Sequence, residues 1–223
     1  MLYDETAVRA NIRNRDGKRV FYLRDEDTLT PLARDFLRQE RIAILPAQEA
    51  RLQRYRLLSG GFSEEKPEHM THLNGDMLVP KTHPRIRFRG MVDMLEAELL
   101  LCGTETGEIL RLARRLIRCD VMDEPVGEFT LYGLTADQQR HHSHFPQDHY
   151  GIPHFMPDYA DGEQVLRLNR CRSICRQAEL CAVDAFSDRD GNLVRTDIVQ
   201  ALNRMSSMLY ILMIQRKSTH ERH

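Results

Sequence analysis

The chain has 223 residues, 41% of them hydrophobic and 29% charged, which suits one soluble domain of ordinary core size with a small appendage. A formal net charge of −1 excludes recognition of nucleic acid or an anionic membrane through bulk electrostatics, and no apolar run reaches the roughly 18 residues that a membrane span needs. Five cysteines, an odd number with no Cys-x-x-Cys pair, read as reduced core thiols, and the absence of Trp with only 7% aromatics leans towards helices packed with Leu, Met and Ala. The first residues lack the basic-then-apolar order of a signal peptide, so the expected location is the cytoplasm.

Residues 1–18 are polar and unpatterned. Arg19 to Leu23 reads as a short strand, and Thr30, with Pro31 at the first helical position, opens a helix to about Arg41. Ile42 to Leu45 reads as a second strand and Pro46 to Arg56 as a charged helix. Residues 1–61 are therefore expected to form a small α/β appendage that ends at Ser59, Gly60 and Gly61. Residues 62–84, rich in His, Pro and charge, read as a linker. From Pro84 the period turns helical: Phe88, Met91, Val92, Leu95, Leu99 and Leu100 make an apolar face that runs to Cys102 and stops at Gly103. Residues 105–120 give a second helix with Ile109, Leu112, Leu116 and Ile117 inward. Residues 121–160, with four prolines and five histidines, read as a long crossover loop. Helices follow from about Asp161 to Phe186 and from about Thr196 to Lys217, parted by a turn signal at 188–192. The expected fold class is all-α: a bundle of four to five helices over residues 62–223 with a long crossover, plus the N-terminal α/β appendage.

The helix around residues 170–180 carries two stripes. Cys171, Ile174, Ala178, Cys181 and Ala185 form an apolar seam, and Arg172, Arg176, Glu179 and Asp184 crowd the adjoining face. Cations one turn apart beside a packed seam call for an anion opposite, which an acidic helix or a polyphosphate would supply. A solvated face in which Glu179 pairs back to Arg176 is the plainer alternative. Asn203, Ser206, Ser207 and Tyr210 set a polar patch into the otherwise apolar helix of residues 198–212. Asp93 sits among apolar neighbours with Arg89 one turn back as its local partner. Lys81 precedes the helix start at Thr82, His83 and Pro84, a position suited to phosphate. His141, His142, His144, His149 and His154 match no metal-ligand spacing, so no metal site is assigned to them. Neither a Walker-type loop nor a dinucleotide fingerprint is present.

Three separated motifs resemble the cobalamin adenosyltransferases, specifically the ethanolamine-utilisation type found with bacterial microcompartments and, more distantly, the propanediol-utilisation type. The run Thr71-His72-Leu73, Gly75, Val79, Lys81, Pro84, Arg85, Gly90 and Asp93-Met94-Leu95 follows the propanediol-type order without a gap. Arg172, Cys175, Arg176, Ala178 and Glu179 resemble that family's Arg-x-x-Cys-Arg-x-Ala-Glu helix, and Leu202 to Ser206 resembles its Leu-Asn-Arg-Leu-Ser. The likeness covers residues 62–217, and the Leu29-Thr30-Pro31 start of the appendage resembles the ethanolamine type as well.

The resemblance implies that Lys81, Arg176, Glu179 and Asn203 contact ATP or its Mg2+, and that Arg172 pairs with Asp93 of a neighbouring subunit, which gives Arg172, Arg176 and Asp93 the catalytic roles. Two departures stand out. The family's Thr-Gly-Asp-x-Gly phosphate loop is replaced by Glu65-Lys66-Pro67-Glu68-His69, so that task is assigned to Lys66, His69, Thr71 and His72. Some ethanolamine-type members carry a His and a Cys-Cys-x-x-Cys cluster, whereas no cysteine precedes Cys102 here, and a variant without a structural transition metal is expected. Phe145, Tyr150 and Phe155 are candidates for an apolar wall against cobalamin, or else ordinary loop anchors. The implied reaction moves the 5′-deoxyadenosyl group of ATP to cob(I)alamin, with ATP and cobalamin as substrates and the cobalt as nucleophile. The implied assembly is a homo-oligomer, a trimer by resemblance, with its site between subunits. It would be served by a reductase, would supply a cobalamin-dependent lyase or dehydratase, and would work in the cytoplasm or a microcompartment, with neither nucleic acid nor membrane as partner. The alternatives are a catalytically silent cobalamin carrier and a His-loop metallohydrolase.

Overall fold

A computed structural model describes residues 1–15, 17–50 and 55–220. The chain is mostly helical and divides into two compact units, Met1–Lys81 and Thr82–His223. Among the described residues no helix is long and apolar enough to cross a membrane.

The first unit runs β1 (Leu2–Tyr3), α1 (Glu5–Ala10), β2 (Arg13–Arg15), β3 (Lys18–Leu23), β4 (Thr28–Leu29), α2 (Pro31–Gln39), β5 (Ala43–Pro46), α3 (Ala47–Ala50), β6 (Tyr55–Leu57), β7 (Phe62–Ser63), β8 (Met70–Asn74) and β9 (Met77–Pro80). The Thr30 hydroxyl accepts the Ala33 N–H at 3.3 Å and Pro31 fills the first helical position, so α2 starts where its sequence says it should. Phe36 and Leu37 of α2 then close over Phe21 of β3 and Val8 of α1. β3 lies between β2, antiparallel, and β5, parallel.

Three expectations are corrected in this unit. Residues 1–18 are patterned: Asp4 caps α1 by accepting the Ala7 N–H at 2.8 Å. The charged helix expected from Pro46 to Arg56 lies partly on residues 51–54, outside the described residues, but Tyr55 and Arg56 belong to strand β6. The segment of residues 62–84 is no linker, because β8 and β9 form a hairpin whose Leu73, Leu78 and Val79 are buried. The turn is Gly75-Asp76, with Gly75 at a φ of 51° that a Cβ would strain. Strands this short bury too few residues to show a period, and the surrounding charge and proline mask what there is.

The second unit runs α4 (Pro84–Cys102), a 3-10 turn (Thr104–Thr106), α5 (Gly107–Met122), β10 (Thr130–Leu131), β11 (Leu134–Thr135), α6 (Ala136–His144), α7 (Pro146–Tyr150), a second 3-10 turn (Tyr159–Asp161), α8 (Glu163–Phe186) and α9 (Thr196–His220). The His83 ring accepts the Arg85 N–H at 3.2 Å ahead of Pro84, and Gly103 at φ 89° ends α4. α8 packs between α4 and α9. Phe88, Leu95 and Leu99, Leu168 and Cys175, and Leu202, Met205 and Leu209 meet in one core.

The apolar seam of α8 is rotated from the expected one. Val165, Leu168, Cys171, Cys175, Ala178, Ala182 and Phe186 are buried, while Ile174, Cys181 and Ala185 are only partly so. A seam flanked on two sides by α4 and α9 is broad, and it takes in small residues such as Cys175 and Ala182. Leu100, expected on the inner face of α4, is 59% exposed, one position away from buried Leu99. The crossover is also more ordered than a loop. It holds the β10–β11 hairpin and two helices, with Thr135 and Gln138 forming a reciprocal cap on α6 and Pro146 starting α7.

Asp120 of α5, fully buried, accepts Arg85 Nε at 2.8 Å and Arg89 Nε at 2.6 Å, and its backbone carbonyl accepts Arg85 Nη2 at 2.6 Å. The local partner expected for Asp93 is thus paired instead to Asp120, and Asp93 stands exposed on α4 without an ion pair among the described residues.

Candidate functional site

One pocket of the second unit, about 560 Å³, lies over the α8–α9 pair. Arg172 and Arg176 reach it from α8, one turn apart. Asn203, Ser206, Ser207 and Tyr210 reach it from α9, and Ser143 and His144 from the end of α6. His154, Phe155 and Met156 cross it as a strap between α7 and the second 3-10 turn. The spacing of the α9 residues, i, i+3, i+4 and i+7, puts all four on one helical face, which is why the polar patch read from the sequence becomes a wall.

The pocket is cationic and its charge is unanswered. Among the described residues Arg172 donates, through Nε and Nη2, only to the neutral Asn169 Oδ1, at 3.3 and 3.2 Å, and its guanidinium lies 5.9 Å from the Tyr210 ring. Burial, and after it the neighbouring Arg176, push the Arg172 pKa down. Arg176 is exposed, and neither arginine forms an ion pair among the described residues. An arrangement that destabilises its own cations favours an anion with several acceptor oxygens.

The alternative pairing of Glu179 back to Arg176 is not the one found. Glu179 Oε1 accepts Asn203 Nδ2 at 3.0 Å, and Asn203 Oδ1 accepts Nη1 of the buried Arg204 at 2.6 Å. Burial, and after it the nearby Arg140, lower the Arg204 pKa. The Asn203 amide is thereby held from both ends, which fixes which of its atoms faces outward. Asp184, counted on the same face as the arginines, lies 3.7 Å from Arg87 of α4 instead.

The candidate residues of the first unit cluster at two ends of one hairpin. The Lys81 N–H donates to the His69 carbonyl at 2.8 Å, so Lys81, His69 and the preceding Lys66 share the open end, all three exposed. Thr71 sits within β8 opposite Val79. His72 faces the turn end, its Nδ1 3.0 Å from the Gly75 carbonyl. A carbonyl only accepts, so that nitrogen carries the proton.

Of the three aromatic candidates, Phe155 lines the pocket and stacks on Tyr210, with centroids 5.8 Å apart. Tyr150 is turned to His142 Nδ1 at 2.9 Å, and Phe145, 52% exposed, leans on His141 at 4.9 Å; neither lines the pocket. His142 stacks on His149 at 3.6 Å, and His149 Nε2 is 2.8 Å from His141 Nδ1. Among the described residues no group of three or more His, Cys, Asp or Glu is arranged to hold a metal ion. Ser143 and Met156 escaped the sequence reading, since nothing in a proline-rich stretch tells which side chain faces a cavity.

The model of the cobalamin adenosyltransferase family matches residues 62–215. The corrinoid adenosyltransferase EutT of Salmonella typhimurium strain LT2 is 29% identical over 247 residues, which span 97% of this chain and 92% of that protein. The corrinoid adenosyltransferase EutT of Escherichia coli strain K12 is 32% identical over 158 residues, 67% of this chain and 59% of that protein, and the protein of the same name in strain CFT073 matches to the same extent.

Proposed function

The chain belongs to the cobalamin adenosyltransferase family, and from that premise we propose that it transfers the 5′-deoxyadenosyl group of ATP to cob(I)alamin, giving adenosylcobalamin and triphosphate. The observation that carries the reading is the Arg172–Arg176 pair, which lines a pocket with only a neutral amide for a partner. The cobalt(I) of the substrate attacks C5′, the cobalt–carbon bond forms as the C5′–oxygen bond breaks, and the electron pair leaves on triphosphate. The protein needs no nucleophile of its own for this. Its work is to hold C5′ in line and to stabilise charge growing on the leaving oxygens.

Arg176 is assigned to the triphosphate, and Lys81 with His69 and Lys66 to a phosphate cradle at the open end of the β8–β9 hairpin. Thr71 and His72 are secondary candidates for that cradle, His72 the weaker because its Nδ1 is engaged at the turn. Asn203, its amide held by Glu179 and Arg204, is assigned to the nucleoside. Glu179 has one carboxylate oxygen on Asn203 and suits Mg2+, which takes one or two carboxylates beside substrate phosphates. Bound there, Mg2+ would neutralise phosphate charge. Phe155, which lines the pocket, and Phe145, which follows the pocket residue His144 in the chain, are assigned to an apolar wall that strips the lower axial ligand from cob(II)alamin and eases its reduction.

The oligomer is part of the proposal. Among the described residues Asp93, exposed, has no ion pair and Arg172 has no carboxylate partner, and α4 and α8 carry exposed Met94, Leu101 and Leu180. These features support an Asp93–Arg172 contact between subunits of a homo-oligomer, a trimer by family likeness. Within it the helices from Pro84 onward would act as the bundle of four to five helices and the strand-containing segment before them as the appendage. A reductase would supply electrons, and the product would serve a lyase or dehydratase for ethanolamine or a diol, in the cytoplasm or a microcompartment.

The test is anaerobic. Protein, ATP, Mg2+ and chemically reduced cobalamin are mixed and the visible spectrum followed. Loss of the cobalt(I) band with appearance of adenosylcobalamin supports the enzyme, and a persistent, shifted band would make the chain a carrier instead.

A further inference from the structure

The strap that brings His154, Phe155 and Met156 over the pocket has no regular secondary structure. Among the described residues, the hydrogen bonds of residues 152–157 end on two groups only, the Tyr210 hydroxyl and the His144 carbonyl. Phe155 donates its N–H to Tyr210 Oη at 3.0 Å. His154 Nε2 lies 3.0 Å from the His144 carbonyl and Nδ1 3.2 Å from Tyr210 Oη.

Donor and acceptor counts settle the protons. The His144 carbonyl can only accept, so His154 Nε2 bears hydrogen and, in the neutral ring, Nδ1 is an acceptor. The Tyr210 hydroxyl therefore accepts from Phe155 N–H and donates to His154 Nδ1, with the Phe155 carbonyl at 3.3 Å as its alternative acceptor. The Tyr210 hydroxyl and both ring nitrogens of His154 are thereby matched. Both imidazole nitrogens are occupied, which also keeps His154 from offering a free lone pair to a cobalt centre in the pocket. The phenol ring is used as well: it stacks on His154 at 5.7 Å and on Phe155 at 5.8 Å. Farther along, the strap is anchored separately, where Lys217 pairs with Asp161 and lies over the Phe155 ring.

We propose that Tyr210 is a positioning residue whose hydroxyl pins the Phe155 strap to α9 and so sets the apolar wall on the corrin side of the pocket. The assignment rests on the reading of the pocket given above. It deepens that reading by separating a corrin-side residue from the nucleotide-side arginines.

The test uses the full chain with Tyr210→Phe, which keeps the stacked ring and removes only the hydroxyl. In the ligand-free protein, amide exchange of peptides covering residues 152–157 should quicken on the order of tenfold, the scale of one or two lost hydrogen bonds, while α8 peptides stay as they are. With ATP bound, the four-coordinate cob(II)alamin signal in electron paramagnetic resonance should fall by about tenfold on the same grounds, with the Kd for ATP unchanged. Unaltered exchange in the strap, or an unaltered cobalt signal, overturns the proposal. So does a loss of ATP affinity that matches the loss of cobalt signal, since a merely structural role would move both. A wild-type chain that fails to transfer adenosyl at all would instead sink the reaction, and the exchange measurement would still decide the tether.

Discussion

Two arginine pairs, each one helical turn apart, meet opposite surroundings in this molecule. Arg85 and Arg89 on α4 converge on the buried carboxylate of Asp120, whereas Arg172 and Arg176 on α8 face Asn169, Asn203 and a cavity. The local spacing is the same. What differs is the group that a neighbouring helix delivers, so the first pair is consumed by the fold and the second is the one proposed to meet a ligand.

The largest test of that contrast removes Asp120. Asp120→Ala leaves two mostly buried guanidinium groups without their anion and is expected to cost about 3 kcal/mol of stability, read by urea unfolding. A loss within the scatter of surface substitutions would show the two pairs to be alike. Arg176→Ala should do the reverse, lowering kcat/KM for ATP about 100-fold, the scale of one lost transition-state contact, with an unchanged unfolding midpoint. Asn203→Ala should behave likewise, and unchanged turnover in either variant would count heavily against the site.

A smaller effect sharpens the comparison further. Arg172→Met removes a cation that burial and Arg176 disfavour, so stability should hold or rise by about 0.5 kcal/mol while activity drops. A destabilised Met variant would mean that Arg172 is structural, as Arg85 is.

The smallest effect is in pH. Burial first, then Arg85 and Arg89, lower the His83 pKa, and burial first, then His149 and His141, lower that of His142. Both rings are therefore held neutral in the fold, while the unfolded chain takes up protons near the ordinary value of about 6.5. In the window between, the unfolded state binds more protons, so stability present above that value is lost as pH falls through the folded pKa values. The thermal midpoint should decline on acidification from pH 7 towards 5, and His142→Gln should flatten the slope.

Long elements were legible from residues alone. Thr30-Pro31 placed α2, Pro84 and Gly103 bounded α4, and the periods of about 161–186 and 196–217 found α8 and α9, because caps and a repeated apolar face are local signals. The β8–β9 hairpin and helices α6 and α7 were not, since runs of four to nine residues bury too little to show a period. Of the motif residues, Arg172, Arg176 and Asn203 line the pocket and Glu179 accepts a hydrogen bond from Asn203; the spacing of Arg172 and Arg176 already puts those two on one helical face, whereas the Glu179–Asn203 contact crosses between helices.

By itself the sequence determined the extents of the long helices, the Thr30 cap and the family. Only the tertiary structure decided partners: that Arg89 belongs to Asp120 and not to Asp93, that Glu179 holds Asn203 and not Arg176, and that Tyr210 grips a strap more than fifty positions away. The reason is physical. A helix fixes neighbours three and four residues apart through its own geometry, but an ion or a hydroxyl finds its counterpart across a packed interface, where burial sets which pairing is least costly.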